Sequence, residues 1–373
     1  MTAPTAAIVL EADRLYAPEP ISPPAIAVRE GRVVALGAAA LALGSAVRVA
    51  GAITPGLVDI QVNGGYGVDL QAPNPDRARL HRWLAEGGVL TYVPTLYAGS
   101  VATMASLVSG LAGELEGVTA LAPHLEGPYL SPAMPGSHDA GIIRDSHWEE
   151  VAELACGQAS YVTLAPERAG ADRLQEALLD CGVRVSLGHS QATARQAETA
   201  FESGASMVTH IWNQMAPVHH RAPSLPVAAL VSPTRPWIGL ICDGVHIAHE
   251  VAALVFAAAA DRTVLVSDSV WKAGLEPESR LSDGRLDGSV ARLDACLREA
   301  IACGQDPAAA LRMTTLNPAS ALGLQDRGHL QVGARALLAV FDPEFRIIAA
   351  GEAEVLAGVT REAAGSRSWR PSS

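Results

Sequence analysis

Four residues that can ligate a metal or move a proton stand at or near the ends of separate apolar runs: Glu126, His189, His210 and Asp268. The runs read ALAPHLE, RVSLGH, ASMVTH and TVLVSD, and each gives way to glycine or polar residues. One carboxylate and two imidazoles are the protein ligands of a catalytic zinc that keeps one position open. A further carboxylate beside a metal-activated water can accept its proton and pass it to a leaving group. The pattern therefore points to metal-assisted hydrolysis. Taken singly, each histidine reads as an ordinary strand-end residue and Asp268 as a turn or helix-cap residue. Three ligands of the right type at equivalent strand ends reverse that reading.

The first apolar run, LVDIQVN, offers Asp59, Gln61 and Asn63 where many metal hydrolases of this kind carry His-x-His and hold two metals. Gln and Asn are poor zinc ligands, so one metal is expected, with Gln61 and Asn63 hydrogen-bonding behind it. His138 lies in the glycine-bracketed loop PGSHDAG. It reads equally as a solvated loop histidine or as a group that polarises a carbonyl. Arg221 follows the adjacent pair His219 and His220, and His246 closes the turn Asp243-Gly244-Val245-His246. Arg221, His246 and the backbone near Asn213 could together hold an anion. The bland reading of Arg221 is a surface charge.

These residues need elements to position them. Between 55 and 324, eight strand-like runs alternate with helical patterns: LVDIQVN, VLTYVPT, VTALAPHLE, YVTLAPE, VRVSLGHS, SMVTHIWN, WIGLICDG and TVLVSDS. Six are followed closely by a helix, the exceptions being a Pro-rich loop after the sixth and a loop after the eighth. A capping-box pattern, Ser146 to Glu149, opens one helix. Repeated βα units predict α/β architecture with a parallel sheet, and eight of them predict a (β/α)8 TIM-like barrel whose strand ends share one mouth. A doubly wound open sheet is the alternative, weakened by the lack of GxGxxG after the first strand. Residues 1–54 and 325–373 are rich in short strands broken by Gly and Pro. They are expected to pair into one small discontinuous β-sandwich domain.

Composition narrows the function classes. The 373 residues are 49% hydrophobic and 18% charged, which is globular. The net charge is −12, and no dense Lys/Arg run suggests nucleic acid or an anionic membrane as partner. The longest apolar run, Val251 to Ala260, is too short to span a bilayer and reads as a buried helix. Five scattered cysteines without a CxxC pair predict free or buried thiols in a reducing, cytoplasmic setting.

PGLVDIQVNGG, HLEGP, GSHDA, LGHSQAT, THIWNQM, DGVH and LVSDS, in this order and at similar spacing, resemble N-acetylglucosamine-6-phosphate deacetylases of the amidohydrolase superfamily. The resemblance covers nearly the whole chain. It implies one divalent metal per subunit, zinc or iron, on Glu126, His189 and His210, with Asp268 as acid/base. It implies that Ser137 and His138 meet the sugar or its acetamide, and that Asn213, Gln214, Arg221 and the Asp243 to His246 turn contact substrate. Arg221 and His246 would lie near the phosphate, and Leu286, Asp287 and Gly288 match a further substrate loop. A homodimer is implied. Gln214 stands where the family usually has a small residue, Ser269 replaces a usual Ala, and Ser-Val-Trp-Lys fills 269–272; all three are expected on the substrate side. Other readings are a hydrolase of another N-acylated sugar or N-acyl amino acid, a dihydroorotase-like enzyme, or a non-catalytic amino-sugar binder.

Overall fold

The structure is a computed structural model and describes residues 6–145 and 147–358. All eight expected central strands form: β1 (Leu57–Val62), β2 (Val89–Tyr97), β3 (His124–Glu126), β4 (Tyr161–Leu164), β5 (Arg184–Leu187), β6 (Met207–Val208), β7 (Trp237–Ile241) and β8 (Thr263–Val266). They pair in parallel and in sequence order. Hydrogen bonds also join the segment after β8 to β1. The Asp268 N–H donates to the Gln61 carbonyl at 3.0 Å, and the Asn63 N–H to the Ser269 carbonyl at 2.8 Å.

Both faces of these strands are covered, which explains why they read as continuous apolar runs. Period-2 alternation divides their side chains. Val58, Ile60, Tyr161, Met207, Val264 and Val266 share one buried cluster with Ala321 and Leu322. Leu57, Val162, Val208, Leu240 and Leu265 face a second, larger cluster with the helices.

Helix starts follow local chemistry. Asp76 accepts from the Arg79 N–H, and Thr193 and Gln196 make a reciprocal capping box. The box expected at 146–149 falls partly outside the described residues. Ser146 is not among them, and His147, which precedes the helix Trp148–Ala155, makes no side-chain cap. The third run splits at Pro123, which has no N–H to donate, into Val118–Ala120 and β3. The Pro-rich stretch after β6 is not all loop: Leu225–Val231 is helical, with Pro226 in the first turn, where a missing N–H costs nothing.

The chain ends meet in one four-stranded sheet. Leu337–Phe341 lies between Ala52–Pro55 and Ile347–Glu352, with Arg14–Leu15 beyond Ala52–Pro55. A second sheet holds Ile8–Glu11, Ala25–Arg29, Arg32–Leu36 and Ala46–Arg48. Leu10, Ile26, Val28 and Ile53 share a buried cluster with Leu330, Leu338 and Val340.

The cysteine expectation is corrected. Cys156 and Cys181 form a disulfide, while Cys242, Cys296 and Cys303 are free. Each bonded cysteine caps the C-terminus of a helix, Trp148–Ala155 and Ala171–Asp180. The pairing comes from helix packing across 25 residues, which no local spacing announces. Among the described residues, no helix is long and apolar enough to cross a membrane.

Candidate active site

The C-terminal ends of the central strands bring the four opening residues together. Glu126 ends β3, and His189, His210 and Asp268 lie two residues past β5, β6 and β8. Glu126 Oε1 is 3.1 Å from His189 Nε2 and 2.8 Å from His210 Nε2, and the two imidazole nitrogens are 3.2 Å apart. All three residues are buried. His189 donates its Nδ1–H to the Met134 carbonyl at 2.9 Å, which turns Nε2 toward the others. Three donor atoms this close can share one cation. A tetrahedral ion with ligand bonds of about 2.0–2.2 Å would hold its donors roughly 3.3 Å apart. The donor set therefore fits a metal. The buried His210 Nδ1 has no partner, which leaves that ring held only through Nε2.

His138 also reaches this group; its ring stacks edge-on to His189 at 4.6 Å, and it forms a ligand-spaced set with Glu126 and His189. Its tautomer argues for another part. The Ala98 N–H donates to His138 Nδ1 at 2.9 Å, so the neutral ring carries its proton on Nε2. Burial, then the His189 charge, lowers the His138 pKa to about 3, so the ring is neutral. It thus offers the cavity a donor, not a lone pair.

Asp268 is fixed from one side. Asn63 Nδ2 and Gln61 Nε2 both donate to its Oδ1, at 2.8 and 3.0 Å. Gln61 Nε2 also lies 3.3 Å from Glu126 Oε2. Burial, then the Glu126 charge, raises the Asp268 pKa to about 7. Burial raises that of Glu126 too, but the hydrogen bonds and charges of His189 and His210 outweigh it and hold the carboxyl well below its ordinary range.

His189, His210 and Asp268 have positive φ, at 46°, 27° and 48°, and so does Gln214, at 51°. Residues with a Cβ rarely adopt that region, and such strain persists where surrounding contacts over-determine it.

A cavity of about 240 Å³ opens above the cluster. That is small beside typical drug-sized sites of ~300–1,000 Å³ and suits a compact substrate. Of the sequence-selected residues, Ser137, His138, Asn213, Gln214, His246, Leu286, Asp287 and Gly288 line it. Ser137 Oγ donates to Asp287 Oδ1 at 2.8 Å, which ties the His138 loop to the 286–288 segment.

Asp243 stands behind the wall. Its Oδ2 takes His246 Nδ1–H at 2.8 Å, and its Oδ1 accepts the Val245 and His246 N–H groups. Burial opposes this pairing, but Asp243 raises the His246 pKa to about 8, while its own falls to about 2. Arg221 is not among the lining residues. It is exposed, and its Nη1 donates to His220 Nε2 at 2.8 Å. Among the described residues, no Lys or Arg lines the cavity. Ser269 departs from expectation as well: it is buried, and its Oγ donates to the Gly64 carbonyl at 2.8 Å, whereas Gln214 and Trp271 do face the cavity.

Two features escaped sequence reasoning. Asp69 and Tyr97 also line the cavity. Beneath the cluster, His124 stacks on Tyr161 at 3.9 Å and bonds Thr163 at 2.7 Å and Thr95 at 3.2 Å. Thr163 continues to Thr209 and on to Ser186, both at 2.6 Å. The signal was present: His124 stands two residues before Glu126, on the same face of one strand.

The sequence profile of the Amidohydrolase family matches residues 52–363. N-acetylglucosamine-6-phosphate deacetylase of Danio rerio is 34% identical, covering 78% of this chain and 80% of its own. N-acetylgalactosamine-6-phosphate deacetylase of Escherichia coli O157:H7 is 33% identical, covering 78% and 83%. A mutant of the Mycobacterium smegmatis N-acetyl-D-glucosamine-6-phosphate deacetylase, solved with N-acetyl-D-glucosamine-6-phosphate, superposes with a TM-score of 0.86 at 29% identity, over 94% of this chain and 98% of that one. On the profile match and these relatives together, the chain belongs to the N-acetylglucosamine-6-phosphate deacetylase family of amidohydrolases.

Proposed function

We infer that this chain hydrolyses the acetamide of N-acetylglucosamine 6-phosphate to acetate and glucosamine 6-phosphate. The observation that carries the reading is Asp268, pinned through Oδ1 beside the Glu126, His189 and His210 cluster, with the His138 Nε2–H facing the same cavity. The relatives named for this activity support it.

Glu126, His189 and His210 would hold one divalent ion, zinc in our reading, with iron also suited to such N/O ligands. When bound, the ion supplies Lewis acidity and a water more acidic than bulk. Gln61 and Asn63 are engaged with Asp268, which argues against a second ion at β1. The chain's own groups supply the rest. Asp268 Oδ2 takes the water proton during attack on the acetamide carbon, and Asp268 returns it to the departing amine. His138 Nε2–H stabilises charge developing on the carbonyl oxygen. Ser137 and Asp287 meet sugar hydroxyls. The His246 cation, Asn213, Gln214 and the Arg221 loop orient the phosphate, far from the reacting bond.

The eight parallel strands and the hydrogen bonds from the β8 end to β1 support a closed (β/α)8 barrel over residues 55–324. The shared sheet and core of the chain ends support a small discontinuous β domain, 1–54 with 325–373. The functional unit is proposed to be a homodimer: among the described residues no Arg or Lys lines the cavity wall, which supports a phosphate contact supplied by the exposed Arg221 loop of a neighbouring subunit. A cytoplasmic location now rests on the metabolic substrate, since the Cys156–Cys181 bond removes the cysteine argument.

The test is acetate release from N-acetylglucosamine 6-phosphate, its unphosphorylated sugar and N-acetylgalactosamine 6-phosphate, before and after chelation. Chelator-sensitive turnover of the first, with little of the second, is expected. Preference for the galacto sugar would favour the activity that the E. coli relative's name carries. No acetate from any of the three would sink the reading.

A further inference from the structure

Outside the cavity, one other group of side chains among the described residues has ligand spacing. His249, Glu299 and Cys303 offer donor atoms that all lie within 4.8 Å of one another. His249 opens the helix His249–Ala259, while Glu299 and Cys303 sit at the end of Leu293–Ala302. The donors thus come from two elements some 50 residues apart in sequence, which chain proximity does not explain. His249 Nε2 contacts Glu299 Oε1 directly. The buried Cys242 thiol lies beside Cys303 and can move in as a fourth donor. An exposed His–Glu ion pair needs no thiols. Thiol, imidazole and carboxylate are the ligand types that zinc takes.

The setting suits an ion arriving from solvent. The His249 side chain is 57% exposed and that of Glu299 28%. Gly244 closes one side with its backbone; a Cβ there would lie 3.4 Å from both Glu299 Oε1 and His249 Nε2.

We propose that His249, Glu299 and Cys303, with Cys242 as fourth donor, form a second metal site for a thiolate-binding ion of the zinc class, distinct from the Glu126, His189 and His210 cluster. Binding is simple exchange: the Cys303 and Cys242 protons leave to solvent as thiolate–metal bonds form, so affinity rises with pH. Hard cations such as magnesium and calcium are excluded by the thiols. The ion would rest against Gly244, in the turn whose Asp243 fixes His246. The inference does not depend on the reaction proposed above.

Cobalt(II) tests it with a readout that is independent of turnover. The full chain, carrying one equivalent of zinc, is titrated anaerobically with cobalt. A thiolate-to-cobalt charge-transfer band should appear with the added equivalent, because the Glu126, His189 and His210 cluster contains no sulfur. C303S should weaken the band, and C242S/C303S should abolish it. H249Q and E299Q, which keep both thiols, should weaken cobalt binding at least tenfold, with unchanged circular dichroism. Absence of the band, or its persistence in C242S/C303S, would overturn the site. So would a thiol titration showing Cys242 and Cys303 joined as a disulfide.

Discussion

The floor and the rim of the cavity are built by different rules. On the floor, Glu126, His189, His210 and Asp268 are buried, contact one another or shared amides, and sit within two residues of a strand. At the rim, Ser137, Asp287 and His246 are joined by bonds between loops, and Arg221 stands on an exposed loop outside the cavity. The floor is positioned by the sheet, so its geometry follows from the fold. The rim is positioned by loops holding one another, so its residues can change without disturbing the floor. Two sequence relatives named for different amino sugar phosphates match this chain about equally well.

The strongest attempt to break this division is D268N. Removing a general base while keeping shape and amide contacts should lower kcat by about 10²–10⁴-fold, with metal content unchanged by elemental analysis. If turnover survives, the floor is not the reaction centre. H138A tests the wall of the floor next. Loss of one donor to a developing oxyanion should cost about 10²–10³ in kcat, with KM little changed in steady-state assays. An equal loss in D268N and H138A with metal gone in both would show collapse of the site rather than separate roles.

The rim should answer in KM. R221A is expected to raise KM for the phosphorylated sugar by about tenfold, the scale of a charged hydrogen bond discounted for exposure, and to leave the unphosphorylated sugar unaffected. A change in kcat alone would erase the distinction between floor and rim. The smallest effect is in pH. His246 titrates at about 8, above its ordinary 6.5, so its cation is complete below about pH 6.5 and lost as pH rises through 8. Asp243, near 2 rather than 3.8, stays ionised throughout. The stabilisation from this pair is therefore present from about pH 4 to 6.5 and fades toward 8. KM for the phosphorylated sugar should rise a few-fold across that upper limb, an inflection absent in H246Q.

The same division explains what could be read from the sequence. The eight strands and their terminal residues were legible because parallel strands buried on both faces leave unbroken apolar runs, and a polar residue at each end stands out. The helix Leu225–Val231 was hidden by its prolines, although Pro226 sits where a helix accepts one. Gln61 and Asn63 were legible as non-ligands by chemistry, but their convergence on Asp268 needs the contact between β1 and the β8 end. His124 was legible in principle by its spacing from Glu126. The Cys156–Cys181 bond, the burial of Ser269 and the position of Arg221 were not, since each depends on how distant segments pack.

The sheet shared by the chain ends imposes an order on synthesis. Ala52–Pro55 leaves the ribosome early, yet its antiparallel neighbour is Leu337–Phe341. At ~5–20 residues per second, that strand edge waits roughly 15–60 s for its partner. Throughout that interval the nascent chain carries an unpaired, apolar edge, a template for mispairing with another copy. The central strands emerge while it waits. A circular permutant that joins the two ends and opens the chain in a surface loop would make the two strands near-contemporaries, and should shorten the period in which a chaperone is needed.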